Sequence, residues 1–453
     1  MKRNSIFHYF YMIYGLLFVL FLINVFVESV VLTYIVGVFA VMIVPLAWYR
    51  ASRLFKIIGA LFFLTGASMS ISSGIAWYEI PLQVTNTVPM LLFLSVLPWM
   101  AMAFRIGGYD ERLSEMMHTD SNKLSSIYGK SLMTTYALLI FINMSAMYVS
   151  QNILKEKLKG VPQKIAESFV IQTTVRAFAL AILWSPMEVI VGIAVDATGV
   201  SYFAYLPWLL LISFIAVTLD ILISRRKYDR VLIEQEPISF SKKFIFKEIS
   251  KLLVVLVLFL ATIVVVNSLV DFNFMLTVAL VIFPFAFLWS VAMREPSLFL
   301  KSGWRSWANH NNGIHNFFVL FITLAFFSEG FNSTSLPIML QHSLNYVTGL
   351  PLLVLVLITV FYFVMAMIGV HPIATLAILI EVLNPLFAVW NPLSIGLVLI
   401  VSALSISASS PYGLIATLTA HHLKVNPYRI TKANLAFSAM LSGISIIIGY
   451  LLL

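Results

Sequence analysis

The chain has 453 residues, of which 61% are apolar and only 10% charged, and its net charge is +9. Ordinary soluble domains carry about 25% charged residues, and so few polar groups cannot cover a water-facing surface of this size, which excludes soluble, disordered, fibrous and disulfide-stapled classes. A polytopic membrane protein remains, and at roughly 20 residues per span the length allows about 11–13 membrane segments.

There is no cysteine, so disulfides and thiolate metal sites are out of reach. In a membrane chain the basic balance reads as loops held on the cytoplasmic side rather than as a nucleic-acid footprint. Met1-Lys2-Arg3-Asn4 leads directly into an apolar run with no small-residue cleavage site. Residues 8–27 are therefore expected to form an uncleaved first span, with the N-terminus inside.

Apolar runs at 30–48, 54–76 and 88–105 follow, and each must be helical to satisfy its backbone in lipid. Arg50, Arg53 and Lys56 fall inside, whereas the turn from Glu79 to Thr87 has no Lys or Arg and falls outside. The loop 106–130, with Arg112, Lys123 and Lys130, is inside. After span 131–150 comes a basic segment, 151–166, with Lys155, Lys157, Lys159 and Lys164. Strict alternation puts this segment outside, against the positive-inside rule. Runs 168–199 and 203–223 complete the first half. The insert 224–251, from Arg225, Arg226, Lys227 and Arg230 to Lys242, Lys243, Lys247 and Lys251, is the clearest cytoplasmic loop.

The second half holds runs at 252–270, 274–293, 314–330, 347–371, 393–420 and 430–453. Arg294, Lys301 and Arg305 fall inside, and Trp304 with Trp307 marks a short interfacial helix. Sliding the chain by 225 residues matches the halves element by element and lays Ser185-Pro186 on Ser410-Pro411. Span 30–48 then runs out-to-in where its counterpart 252–270 runs in-to-out, so the halves are inverted repeats, a common plan of secondary transporters. The expected organisation is an extra N-terminal helix (1–29), a first repeat (30–223), a basic linker (224–251) and a second repeat (252–453).

Segments 168–199 and 393–420 are too long for ordinary spans, and each is interrupted by Ser-Pro. The first contains Thr174, Arg176, Trp184, Ser185, Pro186 and Glu188. The second contains Ser407, Ser409, Ser410, Pro411, Gly413 and Thr417. Proline removes a helical hydrogen bond and pushes the preceding residue out of the helical region. Alternation of the loops favours a re-entrant hairpin at each site, entering from opposite faces. The half-helix N-termini at the tips would offer partial positive charge and free N–H groups to an anion, while Ser hydroxyls and unwound carbonyls could hold Na⁺.

His371-Pro372 breaks the run before Glu381, with a second helical piece to about Leu383, and an ionisable residue at membrane depth is a functional candidate. Arg176 could neutralise an anion or form a structural pair with Glu188 or Asp196. Glu188 could carry a coupling proton or serve as an N-terminal helix acid. Asn143 lies in the span matched to that of His371. The candidate substrate residues are Ser185, Pro186, Ser409, Ser410, Pro411, Thr174, Arg176, His371 and Asn143. Those for ion coupling are Glu188, Ser407, Gly413 and Thr417. No spacing fits a metal ligand set, a Walker A loop or a nucleophile elbow.

The paired Ser-Pro segments and inverted halves resemble the ion transporter superfamily, which groups divalent-anion/sodium symporters, arsenite-efflux-type carriers and relatives. The resemblance spans about residues 30–453 and is architectural. It implies a scaffold domain and a transport domain of hairpins and broken helices, moving as an elevator in a homodimer. The divalent-anion branch carries Ser-Asn-Thr at its tips. Here Trp184-Ser185-Pro186 and Ser409-Ser410-Pro411 stand instead, so the tip positions carry over and the branch stays open.

The expected class is an all-α polytopic membrane protein with about 11 transmembrane helices plus two re-entrant hairpins, in the cell membrane. The expected function is secondary transport of a small anionic or amphipathic solute, driven by Na⁺ or H⁺, with no cofactor and no nucleic-acid partner. An exporter or flippase of a lipid-linked or amphipathic substrate, or a polytopic membrane enzyme, are the alternatives.

Overall fold

The computed structural model describes residues 9–76, 78–109, 123–142, 144–232, 242–270, 272–339 and 349–453. Asn143 lies outside the described residues. In the first half the helices are α1 (Phe10–Val27), α2 (Val30–Arg50), α3 (Arg53–Ser72), α4 (Ile80–Val84), α5 (Val88–Ile106), α6 (Leu124–Ile142), α7 (Met144–Lys157), α8 (Gln163–Ile182), α9 (Val189–Thr198) and α10 (Tyr202–Tyr228). In the second half they are α11 (Lys242–Leu269), α12 (Phe274–Ala292), α13 (Pro296–Asn311), α14 (His315–Asn332), α15 (Pro351–Met367), α16 (Pro372–Leu383), α17 (Pro392–Ser405), α18 (Leu414–Leu423) and α19 (Pro427–Leu451). Among the described residues nine helices are long and apolar enough to cross a membrane, or ten if α13 and α14, bent by 58°, count as one span. The chain is thus an all-helical, multi-pass membrane protein. It divides into two compact units that both draw on both sequence halves: residues 1–103, 271–349 and 377–386, and residues 104–270, 350–376 and 387–453.

The first unit is built on close backbone approach. A Cβ on Gly66 of α3 would lie 2.4 Å from the Phe326 carbonyl oxygen of α14, and one on Gly330 would lie 2.4 Å from the Gly66 oxygen. Only glycine lets these two helices touch main chain to main chain, the small-residue packing that replaces hydrophobic driving force in lipid. The expected interfacial helix is α13. Its Trp304 is exposed, its Trp307 Nε1 donates to Ser95 Oγ at 3.1 Å, and its Gly303 abuts the Trp99 ring.

In the second unit α6 and α7 pack on each other, and both of their free ends reach one end of the unit. The Leu124 amide, at the start of α6, donates to the Val231 carbonyl just past α10 at 3.0 Å. One turn further, Tyr128 lies 5.6 Å from the Phe169 ring of α8 and 5.7 Å from the Tyr228 ring of α10. Lys227 donates to Ser168 at 3.2 Å, and Arg429 at the start of α19 pairs with Glu167. This end therefore gathers the segment between α7 and α8 together with Lys123, Arg225, Arg226 and Lys227. The basic segment 151–166 sits with the other basic loops, not on the opposite side as strict alternation required, because α6 and α7 form a helical hairpin that returns the chain to where it started.

The far end holds the other termini. Thr198 Oγ1, at the end of α9, is 2.9 Å from Tyr205 Oη. Tyr205 Oη in turn donates to the Pro392 carbonyl at 3.4 Å, and Asn391 Nδ2 donates to the Leu452 carbonyl at 2.8 Å. So α8 and α9 together cross the unit, and α17 and α18 cross it in the opposite sense. Segments 168–199 and 393–420 are broken where expected but do not turn back. Proline interrupts a helix without reversing it, and the arms find partners elsewhere: α9 packs on α17, and α8 on α18. The reversals come one element earlier. The first is the α6–α7 hairpin. The second lies between Met367 and Pro392, because α15 runs parallel to α17: Thr359 Oγ1 is 2.8 Å from Ser402 Oγ, and Ser410 Oγ donates to the Ala366 carbonyl at 3.2 Å.

Helices α8 from Phe169 to Ile182 and α17 from Ser394 to Ser405 are buried at every position. A helix buried on all faces is a core element. The two broken crossings thus form the centre of the second unit, wrapped by α6, α7, α10, α15 and α19.

Candidate functional site

At the first break, α8 ends at Ile182 and the chain is irregular from Leu183 to Glu188. Pro186 has no N–H to donate, and the carbonyls released upstream are taken up by side chains. Tyr202 Oη donates to the Trp184 carbonyl at 2.6 Å, and Ser213 Oγ to the Leu180 carbonyl at 3.4 Å. The Trp184 indole donates to Tyr136 Oη, which is 3.2 Å from Ser213 Oγ. Ser185 Oγ accepts the Met187 amide at 3.3 Å in a local turn. Ser185 and Pro186 are buried, Glu188 is half-buried, and Glu188 is the N-cap residue of α9.

The second break opens with one turn of 3-10 helix at Ile406–Ala408. The Ser409 and Ser410 amides both return to the Ile406 carbonyl, at 3.0 and 2.7 Å. The hydroxyl of Ser407 donates to the Leu404 carbonyl. Pro411 is buried, and the Gly413 amide donates to the Ser410 carbonyl at 3.2 Å. Gly413 is the N-cap of α18, and no side chain caps it. Thr417 is exposed one turn on, its hydroxyl donating to the Gly413 carbonyl at 3.0 Å. Ser409 Oγ is fully buried with no hydrogen-bond partner. Upstream, α17 is tied to α19: Ser394 donates to the Gly449 carbonyl at 2.6 Å, Ser438 to the Ser405 carbonyl at 2.7 Å, and Ser405 and Ser442 hydroxyls are 2.8 Å apart.

The expected break at His371 is present. Helix α15 ends at Met367, Gly369 has φ 92°, and α16 starts at Pro372. His371 Nδ1 accepts the Ile373 amide at 3.2 Å, so the ring caps the start of α16. Gly369 lies beside Tyr412, since a Cβ there would be 3.5 Å from that ring. Thus α15 and the second break share one neighbourhood.

Arg176 is placed differently from the substrate-binding expectation. Its guanidinium forms a buried ion pair with Asp220 of α10, not with Glu188 or Asp196. It also donates to Asn434 Oδ1 at 3.0 Å and the Ala433 carbonyl at 2.7 Å, and lies 5.3 Å from the Phe437 ring centroid. Tyr128 Oη donates to the other Asp220 oxygen at 2.8 Å. Each guanidinium nitrogen thus donates to a protein acceptor, which makes Arg176 a structural tie between α8, α10 and α19. Thr174 also faces a partner helix: its hydroxyl donates to the Val170 carbonyl at 2.7 Å and accepts Gln151 Nε2 at 3.2 Å. The same Nε2 reaches Thr419 Oγ1 of α18 at 3.1 Å.

Several participants were not singled out from the sequence, among them Asp220, Asn434, Gln151 and Tyr136. Asp220 had a signal, as the one acid inside the apolar run of α10. The others look like ordinary polar residues until the helices pack.

Helices α9 and α18 both start at the breaks and leave in opposite directions, so each crossing presents a positive helix end inside the unit. They are not equivalent. Neither end has a side-chain cap, but the α9 end carries Glu188 at its N-cap position, which offsets its field, whereas the α18 end has no acid. The arrangement offers an anion-favouring end lined by Ser409 and Ser410 and a cation-favouring end at Glu188.

No family model matches the chain, and no curated protein matches it. Among solved structures, the chain is similar to the YdaH transporter of Alcanivorax borkumensis, whose crystal structure is described as revealing an unusual topology. The match has a TM-score of 0.63 at 16% identity and covers 88% of this chain and 97% of that one. At this identity the likeness is one of fold, and it extends over nearly the whole of both chains.

Proposed function

We propose that this chain is an ion-coupled secondary transporter of a small anion that works by elevator-type alternating access. The observation that carries the reading is the pair of broken helices crossing the second unit in opposite senses, each interrupted inside the unit, with an acid at the start of one outgoing arm and none at the start of the other. The set α6, α8–α9, α10 is answered by α15, α17–α18, α19 running the other way, which supports an inverted repeat. Whole-chain similarity of fold to a protein described as a transporter supports the class, and the Ser-Pro breaks support a place near the ion transporter superfamily. In this reading the second unit is the transport domain and the first the scaffold of a homodimer, with the basic end cytoplasmic. The anion sits at the Gly413 end with Ser409 and Ser410, and the coupling Na⁺ or H⁺ is bound at Glu188.

Reconstitution in proteoliposomes with an imposed Na⁺ or H⁺ gradient tests this. Gradient-dependent accumulation of a small carboxylate or inorganic anion is expected, and Glu188→Gln should uncouple it from the gradient. Failure to accumulate any anion under either gradient would sink the reading.

A further inference from the structure

We propose that the basic end of the second unit binds the headgroups of acidic phospholipids, with α10 as the docking helix. Cations from three separate parts of the chain meet there: Lys164 at the start of α8, Arg225, Arg226, Lys227 and Arg230 at and just past the end of α10, and Arg429 of α19. The acids at this end are already engaged. Glu156 pairs with Lys159, Glu167 pairs with Arg429, and Asp229 accepts from Ser125 at 3.3 Å. Lys227 is held inward by Ser168 and Gln172. By contrast, Lys164, Arg225, Arg226 and Arg230 are exposed, and their charged side chains make no ion pair or hydrogen bond with the described residues.

The occupant follows from what lies beside these charges. Along the face of α10 that leads to Arg225, Leu211 is 41% exposed, Phe214 70% and Leu222 52%. Phe214 and Arg225 are three helical turns apart on one face, a rise of roughly 16 Å. An apolar strip that ends in unpaired guanidinium groups matches an amphiphile with acyl chains along Phe214 and Leu222 and a phosphate at Arg225 and Arg226. A soluble phosphate would engage only the charges, whereas a phospholipid engages the charges and the adjoining strip together. Guanidinium pairs phosphate oxygens in bidentate fashion, so arginine suits this position better than lysine.

The test is lipid binding to the purified full-length chain in neutral detergent, with phosphatidylglycerol and phosphatidylcholine of the same acyl chains as probes and native mass spectrometry as readout. Phosphatidylglycerol should bind at least about tenfold more tightly, and its advantage should shrink as salt is raised. The variant Arg225→Gln/Arg226→Gln/Arg230→Gln should lose most of that advantage, at about fivefold per charge, while the corresponding triple lysine variant keeps much of it and shows that the fold is intact. Equal binding of the two lipids, or unchanged phosphatidylglycerol binding in the glutamine variant, overturns the proposal. Competition by glycerol phosphate as effective as that by the lipid overturns it in favour of a soluble anion.

Discussion

Arg176 and Asp220, 44 positions apart, close a buried ion pair whose remaining hydrogen bonds go to Tyr128, Ala433 and Asn434. Helices α6, α8, α10 and α19 are thus joined by one polar knot at the level of the buried first crossing. Its worth lies in what breaking it would strand. Arg176→Met leaves a carboxylate buried without its cation, at a cost of about 3–5 kcal/mol. Adding Asp220→Asn removes the stranded charge and should recover part of that loss. Thermal unfolding in detergent of the single and double variants checks this, and a double variant less stable than Arg176→Met would refute the account.

Ser409 and Ser410 separate stability from binding. The Ser410 hydroxyl has a partner, so Ser410→Ala should lower stability by about 1 kcal/mol. The buried Ser409 hydroxyl has none, so Ser409→Ala should leave unfolding unchanged or raise its midpoint. Both changes should weaken solute uptake, read as a higher KM. A Ser409→Ala protein with normal uptake would take that residue out of the site.

The orientation of the second unit is open to direct labelling, because the natural chain contains no cysteine. Single variants Lys159→Cys and Arg226→Cys should react with a membrane-impermeant thiol reagent from the same side. Val200→Cys, at the far end, should react from the other. Labelling of Lys159→Cys and Arg226→Cys from opposite sides would contradict the α6–α7 hairpin.

The contact between α3 and α14 leaves no space for a side chain. Gly66→Val should abolish recovery of monodisperse protein, since the added atoms meet main chain that cannot move aside. Gly443 in α19 has nothing within 4 Å of its Cβ position, so Gly443→Ala should be neutral or stabilising by about 0.5–1 kcal/mol. Size-exclusion profiles and melting temperatures of the two variants make the comparison.

The sequence reveals the breaks more readily than the path between them. Pro186, Pro411 and Pro372 each leave a local mark, because a missing N–H ends a helix wherever the chain goes next. The α6–α7 reversal leaves none: residues 131–150 contain neither Gly nor Pro, and their hydropathy reads as one span. That silence misplaced the first fold-back and with it the basic segment 151–166, whereas the second fold-back, marked by Gly369, Pro372 and Pro385, reads as a broken helix rather than as a reversal. Composition could establish the membrane class, since that is a property of sums. The pairing of Arg176 with Asp220, and of Gln151 with Thr174 and Thr419, depends on which helices become neighbours, and periodicity within one helix does not carry that information.

The serine staples between α17 and α19 also have a mechanical consequence. Up to Ser405 the second crossing is fastened to its neighbour at three points, whereas the polar ties of α18 run through Thr419 to Gln151 and Met147. The break at Ser409–Gly413 therefore resembles a door with one leaf bolted to the frame and the other hung on a single carboxamide catch. Those ties amount to the two hydrogen bonds of Thr419, about 2 kcal/mol, so α18 is held chiefly by the packing of its buried face, Ile415, Ala416, Thr419, Ala420 and Leu423, while α17 is bolted by polar bonds as well.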